Sequence, residues 1–211
     1  VLPDTPHGEI IDLIAAHSIP IVVFAGSFTE DLRETMLEKN VFDYFIKSHP
    51  GTLDSVVVSV QRILRNTEVQ IMVVDDSRFS RSMIRTMLQT YRFNVVEAED
   101  GIEALDMLKK HPDIQLVVTD YAMPRMDGFE LISHIRRDYD RYTLAVIGIS
   151  AQINPIDSVK FLKNGANDFL PKPFLKEELY NRVLMNLETL EQMRREKERT
   201  QKLKELNDIK N

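Results

Sequence analysis

From residue 70 onward the chain alternates, five times in succession, between a short apolar run and a stretch of helical spacing. The runs span 70–74, 94–97, 114–119, 144–149 and 168–170; the helical stretches span 78–89, 101–109, 129–137, 157–164 and 176 onward. Apolar runs with little polar alternation read as strands covered on both faces. Strands alternating with helices across short turns read as a parallel sheet with crossover helices. The central run, Ile114-Gln115-Leu116-Val117-Val118, leads through Thr119 to Asp120. In an open parallel sheet, chemistry gathers beyond the carboxyl ends of the strands, so Asp120 is expected at the sheet rim, half in solvent. Asp75-Asp76 close the first run, Ser150 the fourth and Lys172 the fifth. Three carboxylates, a hydroxyl and an amine are thereby expected to meet at one edge.

The region in front echoes the region behind. Residues 168–172, Asp-Phe-Leu-Pro-Lys, match residues 43–47, Asp-Tyr-Phe-Ile-Lys, at an offset of 125, which also sets Ser150 on Ala25. Met123-Pro124 before Glu130-Leu131-Ile132 corresponds to Leu2-Pro3 before Glu9-Ile10-Ile11. Such self-similarity marks a repeated structural unit. Within residues 1–68, helices are expected over 9–17, 30–39 and 53–65, and strands over 19–24 and 42–46. Two strands are too few for a covered parallel sheet, so further chain upstream is expected in the natural protein. Residues 66–68 form a short polar joint. At the other end, 177–209 holds neither Gly nor Pro, and a helix of that length would reach ~45 Å, beyond the body of such a domain.

Charge narrows the classes of function. With 27 basic and 33 acidic residues, net charge −6 and a pI near 5.4, the chain is not a generalised nucleic-acid binder. It contains no cysteine, which fits a reducing compartment and leaves no thiol chemistry. No apolar run approaches the ~18 residues of a membrane span, and no signal peptide opens the chain. A cytoplasmic protein without membrane or direct nucleic-acid partners is the expectation.

Taken singly, the marked residues are ordinary: an acidic pair is a solvated turn, Ser150 a cap, Lys172 surface charge, Phe169 part of a core. Taken together, Asp75-Asp76, Asp120 with Met123-Pro124 and Asp127-Gly128, Ser150-Ala151, and Lys172-Pro173 make residues 69–188 resemble the receiver domain of two-component response regulators. The resemblance implies an α/β fold: a doubly wound five-stranded parallel sheet, flavodoxin-like, of strand order 2-1-3-4-5. It implies that Asp120 accepts a phosphoryl group from a histidine kinase or phosphotransfer protein, with Mg²⁺ held by Asp76, Asp120, the Ala122 carbonyl and, through water, Asp75. Lys172 would contact a phosphoryl oxygen, Ser150 would swing its hydroxyl onto the phosphoryl group, and Phe169 would follow as the switch aromatic. It also implies a cis Lys172–Pro173 peptide and a reporting face made by 157–164, 168–170 and the helix from 176.

The organisation expected is a rear half of a degenerate receiver over 1–68, a complete receiver over 69–188 and a helical arm over 189–211. The front copy has Ala25 for the hydroxyl and Ser48 for the proline, departing from the family pattern. The arm is expected to pair with a second copy, giving a homodimer through the helix or a receiver face. Tandem receivers before a charged helix resemble the front of regulators whose output is a diguanylate cyclase, an enzyme absent from this sequence; the chain itself is expected to be a regulatory module, not an enzyme. Competing classes are a haloacid dehalogenase-type hydrolase, a flavodoxin-like cofactor binder and a phosphorylation-independent scaffold. The first needs a second aspartate two residues after its nucleophile, where Asp75 is followed by Asp76-Ser77. The second needs a phosphate-cradling loop that does not follow Val74.

Overall fold

The computed structural model describes residues 11, 13, 14, 19–26, 41–47, 51–151 and 155–208. The chain divides into two compact units, residues 1–68 with 88–94, and residues 69–87 with 95–211. The expected helix over 30–39 lies outside the described residues, as does most of that over 9–17, of which Ile11, Leu13 and Ile14 are helical.

In the first unit, β1 (Val22–Ala25) and β2 (Asp43–Ile46) form a two-stranded parallel sheet, followed by helix α1 (Thr52–Asn66). In the second, β3 (Gln70–Val74), β4 (Asn94–Ala98), β5 (Ile114–Asp120), β6 (Ala145–Ser150) and β7 (Asp168–Pro171) are interleaved with helices. Those helices are α2 (Arg78–Thr90), α3 (Gly101–Lys110), α4 (Gly128–Asp138), α5 (Pro155–Lys163) and α6 (Lys176–Asp208). The sheet runs β4-β3-β5-β6-β7, the order 2-1-3-4-5 when counted within the unit. Crossing from β3 to β5 reverses the direction in which strands are added, which opens a crevice at the carboxyl ends of those two strands.

Burial follows the apolar runs. Ile71 to Val74 and Leu116 to Val118 are fully buried, as two-sided cover of central strands requires. Two Asp-Gly pairs, Asp100-Gly101 and Asp127-Gly128, start helices. Asp100 accepts hydrogen bonds from the Ile102 and Glu103 amides, and Asp127 accepts one from the Glu130 amide. An extended Asp ahead of Gly is an N-cap here, satisfying amides that have no partner within the helix. Gly128 also matters for its size, since a Cβ on it would overlap the Asp120 carbonyl oxygen. Its bare backbone lets α4 start hard against the end of β5.

Gly148 on β6 leaves room for the ring of Phe161 from α5, which is wholly buried. Phe161 in turn packs on Tyr121, Phe129 and Phe169 at centroid separations of 6.0, 4.6 and 5.2 Å. Gly148→Ala is expected to push Phe161 aside and cost about 1–3 kcal/mol by overpacking. Urea denaturation measures this, and adding Phe161→Leu to the Gly148→Ala variant should recover part of the loss.

The two sheets share one hydrogen-bonding scheme. Val22 pairs with Asp43 and Ala25 with Ile46; Ile147 pairs with Asp168 and Ser150 with Pro171. Phe42 donates its amide to the Ile21 carbonyl and Lys47 to Ala25, each at 2.8 Å. Asn167 donates to Val146 and Lys172 to Ser150, also at 2.8 Å. Every partner is displaced by 125 residues, so the sequence offset corresponds to a common strand register.

Helix α6 is 33 residues long, about 50 Å at 1.5 Å per residue. Its first half packs Leu179, Val183 and Leu190 inward. In the second half, residues 194–204 are all exposed. One side of this stretch, from Leu190 through Lys197 to Lys204, borders an open cleft of about 690 Å³ together with Asp140, Tyr142 and Thr143.

Candidate functional site

Three strand ends deliver the central groups. The carboxylates of Asp75, after β3, and Asp120, closing β5, both bind the ammonium of Lys172, just past β7. Its Nζ lies 2.8 Å from Asp75 Oδ2 and 2.6 Å from Asp120 Oδ1. The Asp120 Oδ2 atom accepts the Ala122 amide at 2.9 Å, and Asp75 Oδ1 accepts the Ser77 amide at 2.9 Å. The Lys172–Pro173 peptide is cis. Ser150 ends β6, is buried, and its carbonyl receives the Lys172 amide at 2.8 Å. Phe169 is partly buried against Phe161. Asp76 is exposed.

Asp120 is not half in solvent as its place at the rim suggests: it is 8% exposed, and Asp75 1%. The lysine above it and the turn amide beside it close over the carboxylate. Burial raises the Asp120 pKa, and the Asp75 charge adds to the rise against the pull of Lys172. Burial also works against the Lys172 ammonium, but its hydrogen bonds to Asp120 and Asp75 outweigh that and raise its pKa. The two directions look opposed, the lysine gaining from a contact in which Asp120 is on balance unfavourably placed. They agree once charges are counted: one ammonium serves two buried carboxylates, so the pocket lacks a positive charge.

This deficit bears on metal binding. Among the described residues no group of three or more His, Cys, Asp or Glu side chains is gathered in a metal-holding arrangement. The donor chemistry fits a hard divalent cation nonetheless, because Asp75 and Asp120 already share one cation and carry an uncompensated charge.

Two contributors escape motif reading. Arg81, on α2, donates to the Asp75 carbonyl at 2.6 Å and the Asp76 carbonyl at 3.2 Å, fixing the acidic turn. A basic residue one helical turn past an acidic strand end is the only trace of this in sequence. Tyr121, directly after Asp120, lies 4.8 Å from Phe129 between ring centroids and joins the turn to the aromatic cluster. Aromatic residues scattered from Tyr121 to Phe169 carry no periodic signal.

Fold and pocket together define an α/β protein with an acid–lysine centre at the carboxyl edge of a parallel sheet. The model of the response regulator receiver domain matches residues 71–184, and the chain belongs to that family. A chemotaxis protein CheY homolog of Campylobacter jejuni is 34% identical over 116 residues, 53% of this chain and 89% of the relative. The crystal structure of a two-component system response regulator/GGDEF domain protein is 42% identical with a TM-score of 0.80. That match covers 90% of this chain and 78% of the other, a share that residues 69–211 alone do not reach. The CheX-CheY-BeF3-Mg complex of Borrelia burgdorferi is 32% identical with a TM-score of 0.52, covering 56% of this chain and 87% of its counterpart. Among the described residues no helix is long and apolar enough to cross a membrane.

Proposed function

We propose that this chain is a phospho-accepting signalling module in which Asp120 takes a phosphoryl group from a histidine kinase or phosphotransfer protein. The observation that carries the reading is the buried Asp120 carboxylate, held beside Asp75 by a shared Lys172 and short of positive charge. A carboxylate oxygen of Asp120 attacks the phosphorus; the P–N bond to the donor imidazole breaks, and its electrons stay with the leaving ring, which takes up a proton from water. The product is an acyl phosphate on Asp120.

Each residue has a part in that step. The Ala122 amide orients the attacking carboxylate. Lys172 moves with the charge, leaving the carboxylate to meet a phosphoryl oxygen as a compact cation. Ser150 lies within the same edge and supplies a hydroxyl to the transferred group, and Phe169 turns with it. Asp75, Asp76, Asp120 and the Ala122 carbonyl would hold Mg²⁺, which supplies charge neutralisation between two anionic reactants. The Borrelia relative, described as a complex with BeF3 and Mg, favours the same assignment.

The added charge of about −1.5 to −2 then biases the face made by α5, β7 and α6. The family resemblance and the common register at offset 125 support assigning 1–68 as the rear half of a degenerate receiver, 69–188 as the phospho-accepting receiver and 189–211 as an arm toward an output domain. The GGDEF-containing neighbour favours a diguanylate cyclase as that output. The chain itself acts as a cytoplasmic regulatory module, working as a homodimer and not as an enzyme.

Incubation with acetyl phosphate and Mg²⁺, followed by intact-mass measurement, is expected to give one phosphoryl group per chain, labile to alkali and to hydroxylamine. Sustained multiple turnover of the donor would point to a hydrolase. No uptake at any donor concentration would leave a phosphorylation-independent scaffold.

A further inference from the structure

The turn between Asp120 and α4 is fastened at both ends and again in the middle. At its near end the Ala122 amide donates to Asp120 Oδ2 at 2.9 Å, and at its far end the Gly128 amide donates to the Tyr121 carbonyl at 2.9 Å. The middle is held from outside the turn, through Arg125 and Met126. The Arg125 guanidinium binds the Asp100 carboxylate and reaches Glu99 Oε1 at 3.1 Å. The Met126 side chain lies so close over Gly101 that a Cβ there would stand 2.6 Å from its Cγ. Both contacts fall on the start of α3.

Two features set Arg125 apart from an ordinary surface cation. Its backbone has a φ of +65°, in the left-handed region that a side chain of this kind rarely enters. Surrounding structure must hold such a residue there, whereas glycine adopts the same backbone readily. Its partner Asp100 is 1% exposed, and the other carboxylate oxygen is committed to the Ile102 and Glu103 amides at 2.9 and 3.0 Å. A pair between two exposed groups contributes little. A buried carboxylate already fixed by helix amides instead dictates where its cation sits.

The contact spans the crevice at the sheet edge. Glu99 and Asp100 directly follow β4, whose Ala98 carbonyl accepts the Asp75 amide at 3.3 Å. One route of bonds therefore runs from the acidic turn, through the end of β4 and Arg125, to the turn that carries Ala122. We propose, on the metal assignment made above, that Arg125 is a positioning residue: by tying the turn after Asp120 to the start of α3, it sets the Ala122 carbonyl where it serves Mg²⁺. This cation demands near-octahedral geometry, so an oxygen on a turn free to shift is a poorer ligand. Charge alone acts in the opposite sense, since a guanidinium on the same turn repels a cation and its removal would tighten binding. Positioning and simple repulsion thus predict opposite signs for one substitution.

Isothermal titration of Mg²⁺ into the 211-residue chain, well below each variant's melting midpoint, reads that sign. Arg125→Gly suits the observed backbone and loses the tie. It is expected to bind Mg²⁺ about tenfold more weakly than the parent, the scale seen when partners behind a metal ligand are removed. The Mg²⁺ concentration for half-maximal phosphoryl uptake from acetyl phosphate should rise by the same factor. Arg125→Lys should recover part of the affinity. Asp100→Asn keeps the cap, because asparagine caps a helix as well as aspartate does, and should also weaken binding. The double variant Asp100→Asn with Arg125→Gly should be no weaker than Arg125→Gly alone, as for two residues acting through one contact. Equal or tighter Mg²⁺ binding by Arg125→Gly, or losses that simply add in the double variant, would overturn the proposal and leave phosphoryl transfer to Asp120 standing. A parent chain that binds no Mg²⁺ would overturn both together.

Discussion

Asp120→Asn is expected to remove phosphoryl uptake from acetyl phosphate entirely while making the folded chain more stable at neutral pH. Loss of uptake follows because an amide nitrogen or oxygen does not replace the carboxylate nucleophile. The stability gain follows from electrostatics. Burial and the neighbouring Asp75 raise the pKa of Asp120 in the folded state above its ordinary value of 3.8. Between those two pKa values the folded chain binds more protons than the unfolded one, so stability falls as pH rises through that window. Above it Asp120 weakens the fold, and the asparagine, which carries no charge, does not. The melting temperature of Asp120→Asn should exceed that of the parent by a few degrees at pH 7, and the gap should shrink as pH falls toward the ordinary carboxylate range. Added Mg²⁺ should raise the parent's melting temperature and leave the variant's nearly unchanged. Equal melting curves at pH 7 would contradict the charge imbalance assigned to the pocket.

The second large effect is expected far from that pocket, at Arg136. This guanidinium, near the end of α4, has neutral oxygens as its hydrogen-bond partners. Its Nε donates to the Gly165 carbonyl at 2.7 Å, one terminal nitrogen to the Leu144 carbonyl at 2.9 Å, and the other to Asn167 Oδ1 at 2.8 Å. Longer bonds reach the carbonyls of Tyr139 and Asp140. Asn167 passes the connection on, accepting the Val146 amide at 3.0 Å and donating to the Arg141 carbonyl at 2.9 Å. One side chain thus ties the end of α4, the start of β6 and the turn before β7. Burial, with the nearby Arg141, lowers its pKa to about 10, which leaves it charged at neutral pH.

Arg136→Met keeps the length and removes every donor, stranding partly buried carbonyls, so a loss of about 3 kcal/mol is expected. Arg136→Lys should recover only part, because an ammonium cannot reproduce the planar fork. Guanidinium chloride denaturation measures both; a loss below about 1 kcal/mol for Arg136→Met would show that water replaces the clamp.

The contrast between these two sites explains what sequence makes legible. Asp75, Asp120, Ser150 and Lys172 are found because each ends an apolar run, and a parallel sheet brings strand ends together whatever lies between. The strand order and the cis proline followed from the family pattern carried by the same residues. Arg136 is invisible by that route. Its partners are mostly backbone carbonyls, which have no sequence identity, and it looks like any cation in the last turn of a helix. The aromatic cluster of Tyr121, Phe129, Phe161 and Phe169 is hidden for a related reason: its members come from a turn, two helices and a strand, and the space they share is created by a missing side chain at Gly148. Asp127 and Asp100 each stand before a glycine in the sequence, a pattern shared by turns and helix starts, and only the extended backbone at each identifies them as caps.

Helix α6 carries one further consequence. It runs unbroken from Lys176 to Asp208, with no glycine or proline to absorb a rotation. Such a rod transmits angle as well as position: the azimuth of Leu203 about the axis is fixed by the azimuth of Val183. Lengthening the rod by two residues would swing its far end through about 200°, whereas seven added residues would return it to within about 20° of its starting orientation. Anything read from that end is therefore read as a phase, and the number of residues along the shaft matters as much as their chemistry.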